Sequence, residues 1–247
     1  MEKYYLKQHL QELKTRLVKT LFVFALAFCI CYLYSQEIYV FLAEPLANIL
    51  GGESRKIIYT GLTEAFFTYL KISTFAAFVI IIPFIAWQIY SFIAPGLYKD
   101  EKFVAKIILM FCPLLFWMGG AFVYYFVMPK AWAFFISFEL KSSSLPLVLE
   151  ARISEYLSLV MHLITAFGLA AELPVVLVIL NLMQIVRAKF LIRHRRLAIV
   201  INFIIAGIIT PPDIISQIAL ALPMTILYEI SIQACKALDE RKKNVRY

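Results

Sequence analysis

Six stretches of the chain are long, apolar and almost free of charged side chains. Five contain no Asp, Glu, Lys or Arg, and the fourth along the chain contains a single acid, Glu172. The stretches cover residues 20–36, 72–98, 107–129, 156–186, 197–212 and 214–228. A membrane-spanning helix needs about 20 apolar residues to cross roughly 30 Å of hydrocarbon. The pattern therefore predicts an all-α, polytopic membrane protein with six transmembrane helices.

The last two stretches are shorter than a full crossing requires. Residues 197–209 would form a helix of roughly 20 Å, against a hydrocarbon core of about 30 Å. Either the pair forms a re-entrant hairpin, or the bilayer thins around two short spanning helices. In both arrangements the flanking basic segments lie on one side of the membrane. Asp213, in the turn between the two stretches, is placed to cap the sixth helix.

The composition of the 247 residues agrees with a membrane protein. Apolar types make up 62% of the chain and charged types 16%, whereas soluble domains average about 45–50% and about 25%. The mean hydropathy is +0.82. Because a soluble fold hides only about three-quarters of its surface, these values exclude a soluble enzyme, a disordered tail and a fibrous repeat. The short connections predict a single membrane domain over residues 1–247.

Basic side chains cluster in alternate connections. Most of the 24 Lys and Arg residues lie in the segments 1–19, 99–106, 187–196 and 236–246. Because basic loops are retained in the cytoplasm, both termini are predicted to be cytoplasmic. Contact of these segments with anionic lipid in the bilayer accounts for the net charge of +8 without a nucleic-acid partner.

The two termini are predicted to be basic cytoplasmic segments. Residues 1–19 carry leucines at helical spacing, which predicts an amphipathic helix along the membrane surface. These leucines are Leu6, Leu10, Leu13 and Leu17. Residues 236–247 form the basic cytoplasmic tail.

No arrangement of catalytic or metal-binding residues is found in the sequence. The 3 histidines and 4 cysteines are scattered and form no CxxC pair or zinc-ligand spacing. The HExxH, GxSxG, P-loop and GxGxxG motifs are absent. We therefore expect no enzymatic activity, no cofactor and no metal.

Two acids in basic cytoplasmic segments are candidate binding residues. Glu12 stands among bases, where it binds a ligand or pairs with Arg16 one helical turn away. Glu101 follows the helix break at Pro95 and Gly96, where it binds a ligand or complements the dipole of the next helix. For Glu101 the two roles are compatible.

Glu172 lies near the middle of the fourth apolar stretch. Its carboxyl group needs a polar partner away from lipid, and intramembrane acids are functional candidates by default. Pro174 should kink the helix at this point. The alternative is a structural hydrogen bond between a protonated Glu172 and a neighbouring helix.

Four short motifs, in this order, resemble those of the TatC family, the polytopic receptor subunit of the twin-arginine translocase, which exports folded proteins. The motifs are HLQELKTRL at residues 9–17, FIAPGLY at 92–98 with Glu101, FG at 167–168 followed by ELP at 172–174, and TPPD at 210–213 with Gln217. Two residues differ from the family's usual pattern. Lys14 stands where Arg is more common, and Ala171 stands where an aromatic residue is common. Neither departure affects an acidic position.

The resemblance implies a binding site for the twin-arginine signal peptides of folded cargo. The family's contact positions, carried onto this chain, are Glu12, Phe92, Leu97, Glu101 and Tyr124. The chemistry agrees for the two acids, because a guanidinium group prefers planar, bidentate carboxylate partners and lysine cannot reproduce this geometry.

The resemblance also implies partners and a location. Single-span TatA and TatB proteins would join this chain in an oligomeric complex of the bacterial plasma (inner) membrane, and the proton gradient would drive export. Glu172 would contact a partner's helix, and Asp213 and Gln217 are further intramembrane polar positions.

A proton-coupled small-solute transporter is the alternative function. It too would use six helices and a buried Glu172, but it should show internal repeats and paired broken helices. No convincing repeat relates residues 1–125 to 126–247. A purely structural membrane scaffold would not explain where the acids are placed.

Overall fold

A computed structural model describes residues 2–50, 58–137, 151–209 and 214–245, and every regular element in these ranges is helical. The α-helices are α1 (Glu2–Leu33), α2 (Ser35–Leu50), α3 (Glu64–Ile93), α4 (Lys99–Phe122), α5 (Met128–Ile136), α6 (Ile153–Ala171), α7 (Leu173–Leu182), α8 (Ala188–Arg193), α9 (Arg195–Ile209) and α10 (Ile214–Val245). A 3₁₀ turn at Ala94–Gly96 follows α3, and a π-helical segment at Val123–Val127 joins α4 to α5. The predicted all-α class is confirmed.

Within the described residues, five helical segments are long and apolar enough to cross a membrane. They are Leu10–Leu33, Glu64–Gly96, Lys102–Ile136, Ile153–Leu182 and Gln217–Glu240. The predicted fifth span is α9, whose 15 residues extend about 22 Å, so it is short as expected. The sixth apolar stretch is only the first part of α10, a helix of 32 residues that continues well beyond it.

The N-terminal segment continues directly into the first span. The sequence predicts a surface helix followed by a separate crossing, but α1 runs without a break from Glu2 to Leu33. The physical reason is that no Gly or Pro occurs in these 32 residues, so nothing interrupts the backbone hydrogen bonds. Leu10, Leu13 and Leu17 remain exposed, and α1 packs mainly against α3.

Helix α2 lies in a segment that the apolar pattern predicts as part of a connection. It follows α1 after a single residue and buries Leu42, Ala43 and Leu46 in the core. Pro45 lies inside α2 and has no N–H, so the carbonyl of Phe41 loses its helical donor. The hydroxyl of Tyr124 donates to that carbonyl at 2.7 Å. A tyrosine from a spanning helix thus compensates for the proline in α2.

Two large clusters of buried apolar side chains, and a small third one of Leu109, Val175 and Ile179, hold the described helices together. The larger one lies toward the extracytoplasmic end and includes Tyr124, Trp132 and Tyr156. The second lies in the cytoplasmic half and includes Leu97 and Ile232. We call these two large clusters the outer cluster and the inner cluster.

The backbones of α4 and α6 approach each other closely where Gly119 faces Gly168. A Cβ atom added to Gly119 would lie 2.7 Å from the carbonyl oxygen of Phe167 and 3.1 Å from the Cα atom of Gly168. One added to Gly168 would lie 2.6 Å from the ring of Phe116. Small residues allow such close backbone approach between membrane helices. The FG motif therefore has a packing role in this structure.

Candidate functional site

Glu12 and Arg16 lie on the side of α1 that contacts α3. Nε and Nη2 of Arg16 both donate to Oε1 of Glu12, the first at 3.0 Å. Nη1 donates to Oε1 of Gln88 at 3.2 Å, and Nη2 also donates to the carbonyl oxygen of Ser91 at 3.0 Å. The pair between Glu12 and Arg16, one of the two predicted alternatives, is present and is linked to α3. The Glu12 side chain stays 34% exposed, so a ligand can reach it.

The break that follows α3 is where the sequence predicts it. Phe92 is half-buried in the last turn of α3, and the chain then forms the 3₁₀ turn at Ala94–Gly96. Leu97 is only 7% exposed and packs in the inner cluster with Ala188, Leu191 and other residues of the cytoplasmic half. Leu97 therefore anchors this loop to the inner cluster and exposes little surface to a ligand.

Glu101 lies in the first turn of α4, which begins at Lys99. This position agrees with the prediction that Glu101 starts the third span near the positive end of the helix dipole. Its side chain lies outside the described part of the structure. The main chain nevertheless places Glu101 four residues after Leu97, across the short extended link between the 3₁₀ turn and α4, on the cytoplasmic side where α3 ends.

Tyr124 lies far from the other four residues that the resemblance implies as signal-peptide contacts. It is separated from Glu101 by about 35 Å of nearly continuous helix, at about 1.5 Å per residue. It is 7% exposed, stacks on the ring of Phe41 with centroids 4.6 Å apart, and donates to the Phe41 carbonyl. Tyr124 therefore holds α2 at the end of the molecule opposite Glu12 and Glu101, and its contact with the signal peptide, which the resemblance implies, stays a prediction.

Glu172 lies at the junction between α6 and α7. Glu172 is the C-cap of α6, and Pro174 occupies the first turn of α7. The predicted break in the fourth span is therefore present. Neither carboxyl oxygen of Glu172 has a hydrogen-bond partner among the described residues, although both are buried. The thiol of Cys112 and the backbone of Phe116, both on α4, face the same carboxyl group without reaching hydrogen-bond geometry. Glu172 is thus a polar group with unused bonding capacity inside the membrane.

Of the two polar positions predicted near the fifth and sixth spans, the structure describes Gln217 but not Asp213. Asp213, with the rest of the TPPD turn, lies outside the described residues. Gln217 lies near the start of α10, where its Nε2 donates to the carbonyl oxygen of Phe203 on α9 at 3.1 Å. The same amide lies against Gly207, where an added Cβ atom would come within 2.9 Å of it. In this structure Gln217 joins α9 to α10.

A group of polar contacts around Glu64, at the extracytoplasmic end, was not predicted. Oε1 of Glu64 accepts a hydrogen bond from Oγ of Ser154 at 2.7 Å, and Oε2 lies 3.4 Å from Nη2 of Arg152. Oε2 also accepts bonds from the backbone N–H groups of Thr60 and Gly61 at 2.9 and 3.1 Å. Thr60 and Gly61 precede Glu64 in its own connection, but Ser154 and Arg152 come from another, and no local pattern in the sequence indicates that pairing. These contacts link the first two extracytoplasmic connections.

Glu64→Gln should lower the thermal stability of the protein, by roughly 2–5 °C in melting temperature. The amide is a weaker acceptor and loses the charge that faces Arg152. The measurement is a melting curve of the purified protein in detergent. Glu155→Gln is the matched control, because Glu155 binds the same arginine at 2.9 Å but is 69% exposed. An equal fall in both variants would contradict a special role for Glu64.

Comparisons with known proteins agree with this architecture. The family model described as "Sec-independent protein translocase protein (TatC)" matches residues 8–223. The TatC protein of Rickettsia prowazekii (strain Madrid E) is 56% identical over 248 residues, which cover 100% of this chain and 99% of the relative. The TatC protein of Magnetococcus marinus is 42% identical, with 96% of this chain and 86% of the relative covered.

A solved structure is also similar to this chain. The crystal structure of the twin-arginine translocase receptor TatC superposes with a TM-score of 0.77 and 34% sequence identity, and the match covers 93% of this chain and 98% of that one. Family model, relatives and solved structure span nearly the whole chain. The chain therefore belongs to the TatC family of Sec-independent protein translocases, multi-pass membrane proteins that serve as receptor subunits of the bacterial twin-arginine translocase and are not enzymes.

Proposed function

We propose that the cytoplasmic junction of α1, α3 and the start of α4 binds the twin-arginine signal peptide of a folded cargo protein. The observation that supports this most directly is the link from Glu12 through Arg16 to Ser91 at the end of α3. It holds an acid of the N-terminal segment beside the loop that leads to Glu101. Two acids from distant parts of the sequence then lie at one end of the molecule.

The electrostatics of this junction suit a pair of guanidinium groups. The C-terminal end of α3 presents backbone carbonyl groups, which favour a cation. Glu12 and Glu101 are acids in segments that are otherwise rich in Lys, so a generally basic peptide is repelled while a correctly spaced pair of arginines is accepted. Phe92, half-buried beside Ser91, supplies an apolar contact for the residues next to the arginines.

The partners of the family are proposed for this chain as well. TatA-type and TatB-type single-span proteins would join it in the plasma (inner) membrane of a bacterium, where the proton gradient drives export. The two buried, unbonded carboxyl oxygens of Glu172 support a contact with a polar group on a partner's helix. A partner's membrane helix with such a group would supply the hydrogen bond that no described residue of this chain makes to the Glu172 carboxyl group.

Glu12→Gln or Glu101→Gln should weaken binding of a twin-arginine signal peptide by about 1–3 kcal/mol, the usual cost of a lost charge-assisted hydrogen bond. The measurement is site-specific crosslinking of the peptide, over a range of concentrations, to membranes that contain the translocase. A twin-lysine peptide should crosslink poorly even to the unaltered protein.

Glu240→Gln is the control for that experiment. Glu240 is an exposed acid at the cytoplasmic end of α10, so its loss changes the net charge equally without touching the proposed site. Unchanged crosslinking in both the Glu12 and the Glu101 variant would refute the proposed binding site.

A further inference from the structure

The guanidinium group of Arg16 does more than pair with Glu12. Its four hydrogen bonds reach three acceptors on two helices: Oε1 of Glu12, Oε1 of Gln88 and the carbonyl oxygen of Ser91. Four of its five N–H donors are therefore engaged, and the side chain is only 23% exposed. Arg16 is built into the contact between α1 and α3.

Such a contact differs from an ordinary pair on a helix surface. An exposed pair one turn apart on a helix contributes little, because both side chains keep moving in water. Here the planar guanidinium group is fixed by acceptors on α3, and it fixes Glu12 in turn. A lysine at position 16 could bind Glu12, but a single ammonium group lacks the fork that reaches all three acceptors.

The geometry leaves half of the Glu12 carboxylate available. Both bonds from Arg16 go to Oε1, and among the described residues no donor binds Oε2. The side chain is also partly exposed. Arg16 thus holds the carboxylate in one orientation without covering its second oxygen.

We propose that Arg16 is a positioning residue for the signal-peptide site: it fixes Glu12 against the end of α3 so that the free oxygen Oε2 receives a guanidinium group of the peptide. This inference rests on the proposed function of the junction. Positioning by Arg16 favours binding because the side chain of Glu12 loses its conformational freedom when the protein folds, and not when the peptide binds. The opposite possibility is that Arg16 competes with the peptide for Glu12, in which case removing it would strengthen binding.

The test compares Arg16→Lys and Arg16→Gln with the unaltered protein in membranes that hold the whole translocase. The probe is a synthetic twin-arginine signal peptide, and its affinity is read from crosslinking against concentration. Both variants should bind about two- to tenfold more weakly, the cost of ordering one mobile side chain at a binding site. Lys19→Gln is the matched control, because Lys19 is exposed on the same helix and should leave affinity unchanged.

A double-variant comparison separates positioning from a general structural defect. If Arg16 acts through Glu12, then Arg16→Lys should cause no further loss in a protein that already carries Glu12→Gln. Further loss in that background would mean that Arg16 only supports the fold, and tighter binding by Arg16→Gln would show competition. Either result overturns the proposal. If Arg16→Lys binds normally while Glu12→Gln is weakened, positioning fails and the binding site stands. If Glu12→Gln has no effect, both proposals fail.

Discussion

Glu172→Ala should reduce export by about 5- to 30-fold, whereas Glu172→Gln should retain most of it. Both carboxyl oxygens are buried and unbonded among the described residues, so a partner's helix is the proposed source of the missing hydrogen bond. A polar contact between helices in lipid contributes about 1–2 kcal/mol. Glutamine keeps a donor and an acceptor at this point, and alanine keeps neither.

The measurement is export of a folded reporter in cells, together with crosslinking to the single-span partners. Thr165→Val is the matched control, because Thr165 lies two turns earlier on α6 and its hydroxyl already donates to the carbonyl oxygen of Met161 at 2.8 Å. That change should leave export intact. If glutamine abolishes export as fully as alanine while partner crosslinking persists, the proton on Glu172 matters and the contact hypothesis is wrong.

Gly119→Ala should destabilise the protein more than alanine at any neighbouring glycine, by about 1–3 kcal/mol or more. The added methyl group would meet the backbone of α6 at Phe167 and Gly168, and a helix backbone cannot move aside locally. The two spans must separate instead. The measurement is the melting temperature of the purified protein, with loss of expression as the extreme result.

Two further glycine variants make this test specific. Gly120→Ala should be nearly neutral, because its methyl group meets the side chain of Ile164 at 3.1 Å, and a side chain can shift. Gly168→Ala meets the ring of Phe116, so Phe116→Leu should rescue it but should not rescue Gly119→Ala. Equal melting temperatures for Gly119→Ala and Gly120→Ala would contradict the proposed close approach.

The spanning helices were predictable because membrane helices are long and apolar, and both properties are local. Two helix breaks were also predictable, one at Glu172 and Pro174 and one after α3. The effect of a proline on its own helix is local as well. Helix α2 was missed because no long apolar run marks it. It depends on tertiary contacts, in particular the tyrosine hydroxyl that replaces the hydrogen bond lost at Pro45.

The candidate site was only partly predictable. Glu12 and Glu101 stand out as acids among bases, and Arg16 was visible as a neighbour of Glu12. The bonds from Arg16 to Gln88 and Ser91 join residues far apart in the sequence, and no local pattern reveals them. The depth of Tyr124 was predictable, because counting residues along the third span places it at the end opposite Glu101.

The separation of the outer and inner clusters has a consequence for local unfolding. Among the described residues, no buried side chain belongs to both clusters. The inner half can therefore open without exposing the core of the outer half, and partial opening requires less free energy than global unfolding. Amide hydrogens of α8, which packs only in the inner cluster, will exchange with deuterium sooner than those in the first half of α6. The end of the molecule that we propose as the signal-peptide site is thus the end that can fluctuate while the remaining helices stay assembled.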